Sequence, residues 1–159
     1  MVDEKKLKKA QSVYSSLCAM LDEKQFHYTK HEQDLVITFV MHGDDIPMNF
    51  IVKVDEQRDL VRILSPIPGV EFPADKRLVG AIATSVANYK LADGSFDYDY
   101  ATGKVAFRLT SSYLDSLISK ELLEYMIFVS GYTIDEFNDK FLLLAKGSMP
   151  IADFIKKYE

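Results

Sequence analysis

Three successive runs between Asp34 and Leu64 place apolar side chains at a period of two, and this feature constrains the fold most. In the first run Leu35, Ile37, Phe39 and Met41 alternate with Val36, Thr38 and Val40. In the second, Met48, Phe50, Val52 and Val54 alternate with Asn49, Ile51 and Lys53, and Leu60 to Leu64 forms the third. A period of two matches a strand, whose side chains point alternately to opposite faces, and does not match a helix. The links His42-Gly43-Asp44-Asp45 and Asp55-Glu56-Gln57-Arg58 are short and polar, as in an antiparallel meander. A weaker extended stretch, Phe26 to Lys30, precedes it.

The meander is apolar on both sides. Val36, Val40, Ile51, Val61 and Ile63 are expected to oppose Leu35, Ile37, Phe39, Phe50, Val52 and Leu64. An antiparallel sheet with one wet face should be polar there. Either helices cover both faces or one face awaits a partner.

The segments around the meander have helical periodicity. Leu7, Ala10, Tyr14, Leu17, Cys18 and Leu21 form one stripe, with Lys5, Lys6, Lys8 and Lys9 mostly off it. Ser65-Pro66-Ile67-Pro68-Gly69 is expected to break the sheet, because proline cannot donate to a ladder. A second helix is predicted from Asp75, its N-cap, to about Leu91. Its Gly80, Ala83, Thr84 and Ala87 are small enough for another backbone to approach closely. They suit either intimate packing on the sheet or a helix–helix dimer seam.

Phe96, Tyr98 and Tyr100 alternate with Asp97 and Asp99, and Val105, Phe107 and Leu109 with Ala106, Arg108 and Thr110. These runs predict a hairpin with Arg108 set to partner an aspartate across the strands. Ser119 is a candidate cap for a third helix ending at Gly131. Thr133-Ile134-Asp135-Glu136 reads as a capping box for a fourth, ending at Gly147, and Ile151 to Tyr158 as a short last helix. The expected order is α-βββ-α-ββ-α(αα). This is an α+β fold with an antiparallel sheet of about five strands, in one domain spanning residues 1–159.

No chemistry-bearing motif emerges. There is no glycine-rich phosphate loop and no nucleophile elbow. His27 and His31 are four apart in a segment read as strand and turn, where that spacing does not put them on one face. His42, Asp44 and Asp45 suit a turn, and Asp93, Asp97 and Asp99 lack the order of a calcium loop. Alanine at His27, His31, His42, Asp44 or Asp97 is expected to leave folding nearly intact. Cys18, the sole cysteine, lies among apolar helix positions as a small buried hydrophobe. No cofactor and no metal are expected.

A net charge of -5 disfavours binding to a phosphate backbone, so no nucleic acid is expected as partner. No apolar run approaches the roughly 20 residues of a membrane span. Met1-Val2-Asp3-Glu4-Lys5-Lys6 has no apolar stretch after it, unlike a secretory leader. The expected location is the cytoplasm.

The element order, with Asn88-Tyr89-Lys90-Leu91-Ala92-Asp93-Gly94-Ser95-Phe96-Asp97-Tyr98-Asp99 and Gly103-Lys104-Val105-Ala106-Phe107-Arg108, resembles the YbjN family of bacterial proteins, described as sensory transduction regulators. The run into Ala145-Lys146-Gly147 is also similar. The resemblance implies a type III secretion chaperone-like fold and an interaction role, and it supplies no catalytic residues. The chain then reads as a non-enzymatic module that binds a protein segment or a second copy of itself as a homodimer. The candidate surface is Gly80, Ala83, Thr84, Ala87, Val36, Ile51 and Ile63. The alternative is a small-ligand sensor or enzyme with a pocket that no motif reveals.

Overall fold

The computed structural model describes residues 3–114 and 116–159; Met1 and Val2, part of the charged N-terminus read above, lie outside the described residues. Helix α1, Glu4–Glu23, starts where the Asp3 carboxylate accepts from the Lys5 amide at 3.0 Å. It buries Ala10, Tyr14, Leu17, Cys18 and Leu21 of the expected stripe, adding Val13 and Met20. Strands β1 (Tyr28–His31), β2 (Val36–Met41), β3 (Met48–Asp55) and β4 (Leu60–Glu71) follow, then helix α2 (Arg77–Lys90). Strands β5 (Ser95–Asp99) and β6 (Lys104–Ser112) form the hairpin, and helices α3 (Lys120–Lys146) and α4 (Ile151–Lys157) close the order. The sheet is antiparallel, in the order β1-β2-β3-β4-β6-β5.

The fold is α+β as expected, with six strands rather than five. The extra strand is the weak stretch before the meander, and Tyr28 to His31 pair with Phe39 to Val36 of β2. The tertiary partner makes this segment a strand, since its own alternation is too short to do so.

Four other expectations are corrected. Pro66 and Pro68 do not end the sheet, because β4 continues to Glu71. Past Leu64 the pairing with β3 has ended, so the missing proline N–H groups leave no bond to β3 unmade. The pairing with β6 shifts register between Pro66 and Glu71, which accommodates the prolines as an irregularity. Asp75 is not a helix cap; it lies in a short 3-10 turn, Ala74–Lys76, and α2 begins at Arg77.

Gly131 does not stop a helix, and Thr133 starts none, since α3 runs unbroken through both. Its buried stripe, including Met126, Ile127, Gly131, Ile134, Phe137 and Phe141, keeps one helical phase across the glycine. Glycine is required there by approach: a Cβ at 131 would lie 2.5 Å from Met41 Sδ. The true ends of α3 match the sequence reading, with Ser119 Oγ accepting from Leu122 N at 3.1 Å and Gly147 left-handed at φ 76°.

The fourth correction concerns the faces of β4. Val52 pairs with Ile63 and Ile51 with Leu64, so Val61 and Ile63 share the buried face with Phe50 and Val52, while Leu64 turns outward. Alternation gives two faces for each strand, but the turn register decides which faces match.

The helices pack on one side of the sheet. The core joins Leu17 and Leu21 of α1, Ile37, Phe50, Val52 and Ile63 of the sheet, Ala83 and Ala87 of α2, Phe141 of α3 and Phe154 of α4. The edge strand β5 is closed by a side chain. Asn88 Oδ1 accepts from Phe96 N at 2.7 Å, and its Nδ2 donates to Phe96 O at 3.0 Å, as a neighbouring strand would. Asn88→Ala leaves both backbone groups without that partner and should cost about 1–3 kcal/mol. Urea denaturation and faster hydrogen exchange at the Phe96 amide measure it, and an unchanged exchange rate would refute the assignment.

Tyr113 ties the end of β6 to the turn after β3. Its amide donates to Asp59 O at 2.9 Å, and its hydroxyl donates to Asp55 O at 3.3 Å. Burial first, then the charges of Asp59, Asp55 and Glu56, push the phenol from 10.0 up to about 12. Between those values the folded state keeps a proton that the unfolded state has lost, so stability is complete below pH 10.0 and falls as pH rises through about 12. Burial and Asp22 raise Tyr28 likewise, and burial and Glu136 raise Tyr158. The urea midpoint should therefore fall as pH rises above about 10, and less steeply in Tyr113→Phe. Equal slopes in the two proteins would contradict this.

Candidate functional site

With every helix on one side, the outer face of the sheet remains open among the described residues. The strand pairings decide its composition. Val36, Thr38 and Val40 of β2, Asn49, Ile51 and Lys53 of β3, and Leu60, Arg62 and Leu64 of β4 all point outward and are half-buried or exposed. Val40, near the end of β2 and beyond its pairing with β1, is 50% exposed. Continuing across β6, Arg62 lies opposite Thr110 and Leu64 opposite Arg108. The Arg108 guanidinium donates twice to the Asp97 carboxylate, from Nε at 2.7 Å and Nη2 at 3.0 Å. The expected cross-strand pair forms, but diagonally, because Ser95 is the residue directly opposite Arg108.

The structure splits the seven predicted surface residues. Val36 and Ile51 are on the open face. Ile63 is on the opposite face and 1% exposed. Gly80, Ala83, Thr84 and Ala87 are all buried within the chain. Their small size serves packing: a Cβ on Gly80 would lie 2.5 Å from Tyr98 Oη and 2.8 Å from a Phe72 ring carbon. The Thr84 hydroxyl donates back to Gly80 O at 2.9 Å, so no polar group of that side chain is left unpaired in the core. The outer side of α2 is different, with Leu78, Ser85 and Tyr89 exposed and Ala81 and Ile82 half-buried between them.

Sequence reasoning missed Lys53 and Arg62, which lie directly opposite each other on the open face. The signal was within reach, because a hairpin that closes Asp55 on Leu60 sets Lys53 against Arg62. Without the register neither cation stands out from any other exposed charge.

The groups weighed for chemistry take structural positions. The Asp44 amide donates to both Asp135 carboxylate oxygens at 3.1 Å, which anchors the His42–Asp45 turn to α3. His31 Nε2 lies 3.3 Å from Thr38 Oγ1. Among the described residues no group of three or more His, Cys, Asp or Glu side chains is placed to hold a metal ion. Cys18 is buried, and burial pushes its thiol pKa up, away from a reactive thiolate. A concavity of about 930 Å³ beside β1 and β2 is lined by Phe26, His27, Tyr28, Val40, His42 and Ile51, among others. Its Tyr28 hydroxyl is engaged by Asp22 at 2.8 Å, and its Lys24 pairs with Glu124 at 2.7 Å. No described helix is long and apolar enough to cross a membrane.

No family model matches the sequence, and no curated protein matches it. Solved structures do match the fold. YbjN from E. coli superposes with a TM-score of 0.57 over 86% of this chain and 95% of its own, at 13% identity. The ExsC–ExsE complex matches with a TM-score of 0.59 over 82% of this chain and 93% of that one, at 11% identity. The HopA1–SchA chaperone–effector complex matches at 0.54 over 87% and 99%, with 13% identity. The helix, meander, helix, hairpin and long helix described above therefore form the type III secretion chaperone-like fold, which this chain shares with YbjN.

Proposed function

We propose that this chain is a non-enzymatic, single-domain interaction module that works in the cytoplasm by binding a segment of another protein. The observation that carries the reading is the open sheet face, where Val36, Val40, Ile51 and Leu64 remain half-buried or exposed after all four helices have packed on the other side. Two structures of the same fold are complexes with a protein partner, which supports the reading. A photo-crosslinking residue at Val40 should capture a partner protein from the native host, whereas the same residue at Leu143, 38% exposed on α3, should not. Equal capture at both positions would count against the sheet face. Self-association is part of the proposal, with its seam on the outer side of α2. Leu78, 65% exposed, and Tyr89, 87% exposed, flank the small Ala81 and Ser85 there. Light scattering should find a dimer that Ser85→Glu converts into folded monomers; a wild-type protein that is monomeric at high concentration removes the seam.

A further inference from the structure

The open face has one polar row that nothing in the chain completes. Lys53 on β3 faces Arg62 on β4, which faces Thr110 on β6. Like charges directly opposite on a ladder destabilise a sheet. Among the described residues neither cation forms an ion pair, although the chain carries 24 acidic residues against 19 basic ones. Arg62 Nε and Thr110 Oγ1 are closed off from solvent and have no hydrogen-bond partner. Two carboxylates of the strands that carry or border this face are engaged elsewhere. Asp97 accepts from Arg108, and Asp55 Oδ1 accepts from the Gln57 and Arg58 amides, each at 3.1 Å. The row thus sets two cations without a carboxylate partner side by side, Lys53 exposed and Arg62 half-buried, next to the apolar pair Ile51 and Leu64.

We propose that Lys53 and Arg62 recognise an acidic–aliphatic protein segment, whose carboxylate accepts from these two cations while its flanking aliphatic side chains cover Ile51 and Leu64. The inference rests on the protein-binding reading above and names the chemistry of the partner. A guanidinium is suited to a carboxylate because its planar fork donates two parallel bonds. A single-stranded nucleic acid would also seek cations, but it needs aromatic platforms for its bases, and the apolar side chains of this face are aliphatic.

The test uses the full chain and two short fluorescein-labelled peptides, one alternating leucine with glutamate and the other leucine with glutamine. A labelled oligothymidine strand is the third probe. Fluorescence anisotropy should show the glutamate peptide binding at least about tenfold more tightly than either other probe, with an affinity that falls as salt rises. Amide shifts of the labelled protein should centre on Ile51, Lys53, Arg62 and Thr110. Lys53→Glu and Arg62→Gln should each weaken binding at least about tenfold while the thermal midpoint of the free protein holds or rises, because each removes the opposed cations. A merely structural row would lose midpoint and binding together. Equal affinity for the two peptides, binding by neither, unchanged affinity in both variants, or preference for oligothymidine would each overturn the inference. So would a wild-type dimer that Lys53→Glu dissociates, since a second copy would then be the occupant. If Val40 in the Lys53→Glu protein still captures its partner undiminished, the protein-binding reading stands and this inference alone falls.

Discussion

Replacing Ala83 with glutamate should leave no folded protein at room temperature, while Ser85→Glu, two residues along the same helix, should fold normally. Ala83 is 0% exposed, on the side of α2 that also buries Gly80, Thr84 and Ala87. A glutamate there must either bring an unpaired carboxylate into the core or take up a proton, and in both cases it overfills a site packed around a methyl group. Together these costs exceed about 5 kcal/mol, the low end of the stability of a folded domain. Ser85 is exposed, so its replacement should change monomer stability by no more than about 0.5 kcal/mol. Circular dichroism and urea denaturation of the two variants separate the two sides of α2. A folded, monomeric Ala83→Glu protein with a wild-type spectrum would mean that this side is not core.

The second large effect is expected at Phe141, where truncation to alanine should cost about 3–5 kcal/mol. Its ring is fully buried and meets Phe96 of β5 edge-on at 5.0 Å, Phe137 at 5.9 Å and Phe154 of α4 at 6.0 Å. One side chain therefore joins the edge of the sheet, the long helix and the last helix. Removing it opens a cavity among rings that cannot collapse without moving three elements. Because α4 docks through Phe154, its amides should also lose hydrogen-exchange protection before those of the sheet do. Tyr132→Ala on the same helix, at a residue 75% exposed, is the control and should shift the urea midpoint little. A cost below about 1 kcal/mol for Phe141→Ala would mean that the aromatic cluster adds little to holding α3 and α4 on the sheet.

Periodicity and end signals made the elements legible before any tertiary information. Alternation in β2, β3, β5 and β6 and the stripe of α1 are local properties of the chain, set by where successive side chains point. The caps at Ser119 and Gly147 were equally readable, since each satisfies backbone groups within a turn of itself. The candidate surface was legible only as a question. An apolar excess on both sides of the meander showed that something must cover a second face, without showing which residues were on it.

What the tertiary structure alone decided depends on contacts between residues distant in sequence. Tyr28–His31 became a strand because β2 offers it a partner, and β4 passed through Pro66 because its pairing with β3 has already ended at Leu64. Gly131 stayed helical because its role is to admit Met41, a contact that no local signal encodes. Ile63 moved from the expected surface to the core, and Leu64 took its place beside Ile51 on the open face, through the register of one hairpin. That same register set Lys53 against Arg62. A strand's own alternation leaves its two faces equivalent, and only pairing and helix packing distinguish them, so the sequence by itself determined which side chains of one strand share a face, while the assembled sheet decided which faces of different strands join and which of them remains open.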